Sequence, residues 1–249
     1  MVNIAIIGAN GKMGRMVYSC SQQRDDIKVV AGVDLNTQTY ADFPIYEKLS
    51  DITENIDVII DFSHPALLEN ILSYALSNGI GVVFATTGYS DEQIAQIKKA
   101  ADQIPVFFTF NMSLGINLLC ALAKKATEVL GNQFDIEIIE KHHNQKIDAP
   151  SGTAIMLANS INESLDNKLN CEYDRHSKRE KRPKNEIGMH SVRGGTIVGV
   201  HEIMFCGTDE VITLKHEAHS KQVFAVGSLN AAAFLKSKQA ALYDMNDII

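Results

Sequence analysis

One segment of the chain, residues 137–154, concentrates side chains that can carry charge and move protons. It contains His142, His143 and Lys146, so two imidazoles and one ammonium are available within a single loop. Three residues then begin a predicted helix: Ser151, Gly152 and Thr153. Hydroxyls and free backbone N–H groups at a helix start bind anions. Together these groups predict a small anionic substrate that receives a proton.

A second motif lies near the N-terminus, between a predicted strand and a predicted helix. Residues 8–14 read Gly-Ala-Asn-Gly-Lys-Met-Gly, a G-x-x-G-x-x-G variant of the dinucleotide fingerprint. Its glycines permit a tight turn and close approach of the backbone, and the helix start faces the pyrophosphate. Asp34 ends the next strand 20 positions after Gly14, where a ribose-binding carboxylate is expected. The residues predicted to hold the nucleotide here are Gly8, Ala9, Asn10, Gly11, Lys12, Met13 and Asp34.

The residues around Asp34 bear on the choice between NADH and NADPH. A carboxylate that accepts from the ribose hydroxyls repels a 2′-phosphate, and Leu35 beside it adds no cation. NADH is therefore favoured. Lys12 in the glycine turn could reach such a phosphate, so use of both cofactors stays open.

Two further segments follow predicted strands at the carboxyl edge of the sheet, where ligands of such sheets bind. Small hydroxylated residues there can approach a nicotinamide carboxamide, although ordinary turn chemistry explains them equally well. The residues concerned are Ala85, Thr86, Thr87 and Gly88 after one strand, and Thr109, Phe110, Asn111 and Met112 after the next.

The elements that position these motifs follow from hydrophobic patterning. Short apolar runs alternate with helical patterns through the first half of the chain, which predicts a Rossmann-like, doubly wound parallel α/β sheet. The strands are predicted at 2–8, 28–34, 58–63, 81–88 and 105–111. A second α+β unit with an open mixed sheet follows, and a long helix over 221–242 is expected to pack back against the first unit.

The second unit is predicted to contain a strand over 134–141, a helix over 152–165 and strands at 189–193, 196–205 and 210–216. Gly194-Gly195 suits a two-residue hairpin between the second and third strands. The strand 196–205 is apolar on both faces, so one face needs a cover. A second subunit is the simplest candidate, and a loop of the same chain is the alternative.

Composition excludes several classes of protein. With 23 Lys plus Arg against 30 Asp plus Glu, the formal charge of -7 disfavours nucleic-acid binding. No apolar run reaches the ~18 residues that span a bilayer, and we expect a cytoplasmic protein with no membrane partner. The remaining histidines show no metal-ligand spacing, so no metal is predicted. Residues 168–188 carry a cationic run, which is either a solvated loop or an anion attractant.

The sequence resembles the 4-hydroxy-tetrahydrodipicolinate reductase (dihydrodipicolinate reductase) family along essentially its whole length. Residues 137–154 carry the most specific match, and the 8–14 turn, 85–88 and the Asn111 region agree in order and spacing. The resemblance implies hydride transfer from NADH or NADPH to a cyclic dicarboxylic imine in lysine and diaminopimelate biosynthesis. It also implies a dinucleotide-binding domain over 1–112 and 222–249, a substrate-binding and oligomerisation domain over 113–221, and a homotetramer.

Carried over by residue, the resemblance makes His142 the acid/base histidine and Lys146 the proton donor. His143, Ser151, Gly152 and Thr153 become the contacts for substrate carboxylate. Met112 stands where an aromatic residue is common in the family, and Lys12 and Lys221 stand where arginine is common.

Two rival functions remain at this point: another two-domain dehydrogenase, and a non-catalytic nucleotide sensor. A sensor would bind NADH without oxidising it when the substrate is supplied.

Overall fold

A computed structural model describes residues 1–248, apart from the side chain of residue 132. The strands are β1 Val2–Ile7, β2 Ile27–Val33, β3 Ile45–Tyr46, β4 Val58–Asp61, β5 Gly81–Phe84, β6 Pro105–Phe108, β7 Asp135–His142, β8 Asn170–Glu172, β9 Glu186–Arg193, β10 Gly199–Cys206, β11 Val211–Ala218 and β12 Ala241–Tyr243. The α-helices are α1 Lys12–Ser21, α2 Leu68–Asn78, α3 Asp91–Ala100, α4 Leu114–Leu130, α5 Gly152–Glu163 and α6 Gln222–Leu235. The chain divides into two compact units, Met1–Leu114 with Lys221–Ile249 and Gly115–Ser220.

The first unit is built on a parallel sheet of seven strands in the order β12-β6-β5-β4-β1-β2-β3. The central strands are apolar on both faces and buried on both, as parallel strands between helix layers are. The order reverses between β1 and β4, and a switch of this kind opens a crevice at the carboxyl ends of the strands. The predicted doubly wound sheet is confirmed.

The C-terminal segment differs from the prediction of one helix over 221–242. The helix α6 ends at Leu235, and residues 241–243 instead form β12, which pairs in parallel with β6 at the sheet edge. Leu229 and Leu235 of α6 are buried in the same core as strands β1 and β4. Gly227 allows α6 to approach closely, because a Cβ there would lie 1.7 Å from the carbonyl oxygen of Met112.

The second unit contains a mixed sheet of five strands in the order β11-β10-β7-β9-β8. The expected hairpin between the strands at 189–193 and 196–205 is wrong, because β9 and β10 do not pair. Both flank β7, β9 in parallel and β10 antiparallel. Gly194 and Gly195 therefore lie in a longer loop between β9 and β10. One face of the sheet packs on α5, with Ile203 and Phe205 of β10 in that core.

Candidate functional site

The glycine turn has the backbone geometry that its sequence predicted. Gly8 has a φ of +80°, and a Cβ there would lie 2.5 Å from a backbone oxygen. A Cβ on Gly14 would lie 2.2 Å from the carbonyl oxygen of Gly8. The amides of Gly8 and Ala9 both donate to the Val33 carbonyl, at 2.8 and 3.2 Å. Gly11 caps α1, which begins with Lys12, so the helix start lies at the end of β1.

Asp34 belongs to a network around the same turn. Its Oδ2 accepts from the Asn10 amide at 2.9 Å, and its Oδ1 accepts from the Asn36 amide at 3.1 Å. Arg15 donates to Asn10 Oδ1 at 2.5 Å, and its guanidinium carbon lies 4.2 Å from the centre of the Tyr40 ring. Arg15 is thus a cation near the expected ribose carboxylate that the sequence analysis missed.

A cleft of about 790 Å³ in the first unit includes the carboxyl ends of β1 and β2. Gly8 and Asp34 line it from the predicted site, together with Leu35, Lys48 and His64. Its volume is in the range of cofactor sites. Lys48 follows β3, a strand of two residues that the sequence pattern did not reveal. A lysine therefore lines the cleft that contains Asp34.

A buried carboxylate organises the loop after β4. Asp61 Oδ1 accepts from the amide and hydroxyl of Ser63 at 3.0 and 2.5 Å, and its Oδ2 accepts from the Tyr89 hydroxyl at 2.7 Å. Burial raises the pKa of Asp61, and the hydrogen bonds from Ser63 and Tyr89 oppose that rise. The Ser63 amide also donates to Thr86 Oγ1 at 2.8 Å, which ties the loops after β4 and β5 together.

The predicted segment after β5 is divided between interior and surface. The Ala85 amide donates to the Asp61 carbonyl at 3.0 Å, and Thr86 is buried. Thr87 and Gly88 are exposed, and Gly88 has a φ of +86°. Ala85 and Thr86 therefore shape the loop, whereas Thr87 and Gly88 are the accessible members.

The segment after β6 shows a similar division. Asn111 Oδ1 accepts from the Ser113 amide at 2.8 Å, and the Asn111 amide donates to Thr109 Oγ1 at 3.4 Å. Phe110 is 73% exposed, whereas Met112 is buried. Phe110 is accordingly the side chain of this segment that presents a large apolar surface.

In the second unit, the alternation along β7 places its last histidine inside. His142 is buried and His143 is half-buried. The loop then folds back, with the Lys146 amide donating to the His143 carbonyl at 3.2 Å. The Lys146 ammonium lies 2.8 Å from Asp148 Oδ1, and the Asp148 side chain is 57% exposed.

The start of α5, where an anion site is predicted, is capped by a side chain and open to solvent at its first residue. Ser151 caps the helix, and its Oγ accepts from the Ala154 amide at 3.2 Å. Gly152 is exposed, and a Cβ there would meet nothing within 4 Å, so the first turn is open on that side. Thr153 is half-buried.

Glu140, which the sequence analysis did not single out, connects these groups. Its two oxygens accept from Arg193 at 2.6 and 2.8 Å, from His142 Nδ1 at 2.6 Å and from the Ser151 amide at 3.2 Å. Burial favours a raised pKa for this carboxyl, but hydrogen bonds from Arg193, Ser191 and His142 hold the pKa of Glu140 at about 2. Glu140 is therefore a buried carboxylate at neutral pH.

A second histidine lies beside this group. The ring centres of His201 and His142 are 5.2 Å apart, and His201 Nε2 lies 3.0 Å from Ser151 Oγ. Burial, with a smaller effect from His142, lowers the pKa of His201 to about 4. Burial also lowers the pKa of His142, against the opposing effect of Glu140. Both rings are neutral at physiological pH.

The cationic run within 168–188 is partly absorbed by ion pairs of its own unit. Arg182 Nε donates to Glu137 Oε1 at 3.0 Å, and its side chain is only 17% exposed. Arg175 pairs with the buried Glu186. The solvated-loop interpretation is wrong for these two arginines, which fasten the segment to the sheet.

Within each unit, considered by itself, the residues predicted to form a site lie close together. Within residues 1–248, no group of three His, Cys, Asp or Glu side chains could hold a metal ion. In the same part of the chain, no helix combines the length and apolarity needed to cross a bilayer.

Comparison with known families matches both parts of the chain. The family described as "Dihydrodipicolinate reductase, N-terminus" matches residues 2–112, and "Dihydrodipicolinate reductase, C-terminus" matches residues 115–249. A 4-hydroxy-tetrahydrodipicolinate reductase of Caldanaerobacter subterraneus is 49% identical over 249 residues, covering 100% of this chain and 98% of the relative. Another, from Clostridium tetani, is 46% identical, covering 99% of this chain and 96% of the relative.

Solved structures agree with these matches. A dipicolinate-bound dihydrodipicolinate reductase from Paenisporosarcina sp. TG-14 superposes with a TM-score of 0.82 at 27% identity, covering 100% of both chains. A myo-inositol dehydrogenase from Corynebacterium glutamicum, at 14% identity and a TM-score of 0.62, covering 97% of this chain and 90% of that one, shares the fold alone. The chain therefore belongs to the dihydrodipicolinate reductase family, nicotinamide-dependent oxidoreductases that reduce 4-hydroxy-tetrahydrodipicolinate in lysine and diaminopimelate biosynthesis.

Proposed function

We propose that the two units divide the reaction between them. The unit of residues 1–112 and 222–249 binds the nicotinamide cofactor, and the unit of residues 113–221 binds a dicarboxylate substrate and moves the proton. The observation that carries this proposal is the joining of the α5 start to His142 through one buried carboxylate, Glu140. Glu140 thereby holds the first turn of α5, the proposed anion site, next to the His142 ring.

The substrate groups are the open first turn of α5 and the cations beside it. Gly152 and Thr153 offer backbone N–H groups at the positive end of the helix dipole, where a carboxylate is stabilised. Ser151 holds that turn by capping it. His143 is half-buried and Lys146 is within the same loop, so both can meet a carboxylate. The related Paenisporosarcina enzyme binds dipicolinate, a dicarboxylate, and this ligand supports the assignment.

Lys146 is proposed as the group that delivers the proton. Its ammonium has three donors and pairs with an exposed carboxylate, Asp148, that a substrate can replace. His142 is buried and neutral, with Nδ1 engaged by Glu140. A neutral ring whose Nδ1 is bonded to Glu140 can orient the substrate or adjust the reactivity of Lys146. It is not the group that supplies the proton first.

The residues of the first unit fit a dinucleotide. A Cβ at Gly8 or Gly14 would collide with neighbouring backbone atoms, so the tight turn requires glycine at both positions, and Asp34 lines the adjoining cleft. When bound, a reduced nicotinamide dinucleotide supplies the hydride. Gly8, Ala9, Asn10, Gly11, Lys12 and Met13 would hold its pyrophosphate, and the loops at 85–88 and 109–112 its nicotinamide end.

NADH is the proposed preference, since Asp34 opposes a 2′-phosphate. Arg15 and Lys48 add cations near that carboxylate, which supports use of NADPH as well as NADH. We expect kcat/KM for NADH to be at least as high as for NADPH in steady-state kinetics. A tenfold preference for NADPH would contradict the charge argument and implicate Lys12, Arg15 and Lys48 as partners of the 2′-phosphate.

A coupled assay tests the whole function. The condensation product of pyruvate and aspartate semialdehyde is generated in place by its synthase, and the loss of absorbance of each reduced cofactor is followed. Oxidation that requires this product is the expected result. Binding of NADH without oxidation would instead indicate a nucleotide sensor.

The exposed face of the second unit's sheet supports assembly into a homotetramer. Met204 is half-buried, and Val192 and Val211 are 44% and 55% exposed on that face. Burial of these residues against a second copy would stabilise an oligomer. Light scattering at micromolar concentration tests the assembly, and a stable monomer would contradict it.

A cytoplasmic location also stays a prediction, which fractionation of the source cells checks.

A further inference from the structure

We infer that Glu140 is a positioning residue that sets the tautomer of His142 and locks this ring to the start of α5. The inference deepens the proposed function, because it concerns the same substrate site. It rests on the hydrogen bonds that converge on one buried side chain, 1% exposed, from β7, β9 and the cap of α5.

The charge of Glu140 is balanced within the protein. Arg193 donates to both carboxylate oxygens, and it also donates to the carbonyls of Val192 and Asp148. The guanidinium is thus held at the end of β9 and has only donors. A permanently ionised pair of this kind leaves Glu140 as an acceptor toward every other neighbour.

That acceptor decides where the proton lies on His142. Because a carboxylate can only accept, the hydrogen bond of 2.6 Å places the ring proton on Nδ1. Nε2 then carries the lone pair, on the side of Gly199, where a Cβ would lie 3.2 Å away. The charged and titratable groups around the ring are Glu140 on its own strand, Arg193 on β9, His201 on β10 and Lys146 in the following loop.

Glu140 also holds the anion site in place. Its Oε1 accepts from the Ser151 amide, the cap residue of α5, while its Oε2 accepts from His142. The distance between the helix start and the imidazole is therefore set by one rigid carboxylate. A small displacement of either group changes the alignment of the substrate with the His142 ring, which is costly for rate.

Glu140→Gln separates this role from simple packing. The Oε1 position faces two obligate donors, Arg193 Nη2 and the Ser151 amide. The Oε2 position faces one obligate donor, Arg193 Nη1, and the His142 ring, which can also accept. The amide oxygen should therefore occupy Oε1, where two donors rather than one require an acceptor. The amide NH₂ then faces His142 Nδ1, which must accept, and the ring proton moves to Nε2. Nitrogen-15 NMR of histidine-labelled protein reads this change, with the His142 signals assigned from His142→Gln.

The expected result is the Nδ1–H form in the wild type, the Nε2–H form in Glu140→Gln, and a kcat lower by about 10- to 100-fold in the variant. Glu140→Asp keeps the charge, so it should keep the Nδ1–H form and more of the activity, and it serves if the glutamine variant does not fold. An unchanged tautomer or an unchanged kcat in Glu140→Gln would overturn the inference.

Glu186→Gln is the matched control. Glu186 is a buried glutamate paired with an arginine in the same unit, at the opposite end of β9. It should leave the His142 tautomer and kcat unchanged. An equal loss of kcat in both variants would show general destabilisation and also overturn the inference. If the wild type itself oxidises no cofactor, the proposed function fails, whereas the tautomer remains measurable without substrate.

Discussion

Replacing Lys146 by methionine removes the proposed proton donor while keeping most of the apolar stem. The only ion pair described for this lysine is with Asp148, whose side chain is 57% exposed and stays hydrated when the partner is lost. Exposed pairs contribute about 0–1 kcal/mol, so the free energy of unfolding should change by no more than that. Loss of a positioned acid costs about 10²- to 10⁴-fold in rate, or about 3–5 kcal/mol of activation free energy. The effect on kcat should therefore far exceed the effect on stability.

Single-turnover rates and fluorescence titration of NADH separate the possible causes of a Lys146→Met defect. We expect kcat to fall by about 10²- to 10⁴-fold, while the Kd for NADH changes little. Lys168→Met is the control, because Lys168 makes a comparable pair with Asp166 at 2.9 Å. Normal turnover in Lys146→Met, or a defect that lies wholly in NADH affinity, would remove Lys146 from the proposed mechanism.

Gly14→Ala should raise the KM for NADH at least tenfold in steady-state assays without raising that for the dicarboxylate, because the new Cβ would lie 2.2 Å from the Gly8 carbonyl oxygen and the turn must move. Gly199→Ala should lower kcat by about 3- to 10-fold, since its Cβ would crowd His142 Nε2 at 3.2 Å, and NADH titration should show unchanged affinity. His201 binds a proton near pH 6.5 when unfolded but only near pH 4 when folded. The unfolded state thus binds more protons between these values, so the free energy of unfolding, followed by urea titration, should decrease as pH falls from 6.5 to 4. His201→Gln should flatten that dependence.

The sequence predicted the features that depend on neighbouring residues. The turn from Gly8 to Gly14 and the carboxylate of Asp34 belong to one short strand–helix–strand unit, so their spacing alone indicates their proximity. Features that depend on distant pairing were not predictable. β12 resembles the end of an alanine-rich helix, and it becomes a strand because the edge of β6 is open to it. Similarly, Gly194-Gly195 suits a hairpin, but both flanking strands pair with β7.

Glu140 illustrates a signal that was present in the sequence but not used. Ile136, Ile138, Glu140 and His142 alternate along β7 and share its buried face. A glutamate at an inward position of such a strand requires a partner. The identity of that partner, Arg193, could not be read from the sequence, because 53 residues separate the two and only the parallel pairing of β7 with β9 brings them together.

The Lys146–Asp148 pair in the loop after β7 and the Glu140–Arg193 pair between β7 and β9 differ in exposure, and this difference separates the proposed substrate binding from positioning. Asp148 is exposed, so a substrate carboxylate can replace it on Lys146 at little cost in desolvation. Glu140 is 1% exposed, and removing it from Arg193 would leave a poorly solvated guanidinium without a counter-charge. Under the proposed function, Lys146 is therefore the cation that the substrate captures, whereas Arg193 stays paired with Glu140. The proposed site thus combines one exchangeable cation, Lys146, with an imidazole, His142, that Glu140 holds in place, and a dicarboxylate substrate is expected to meet both.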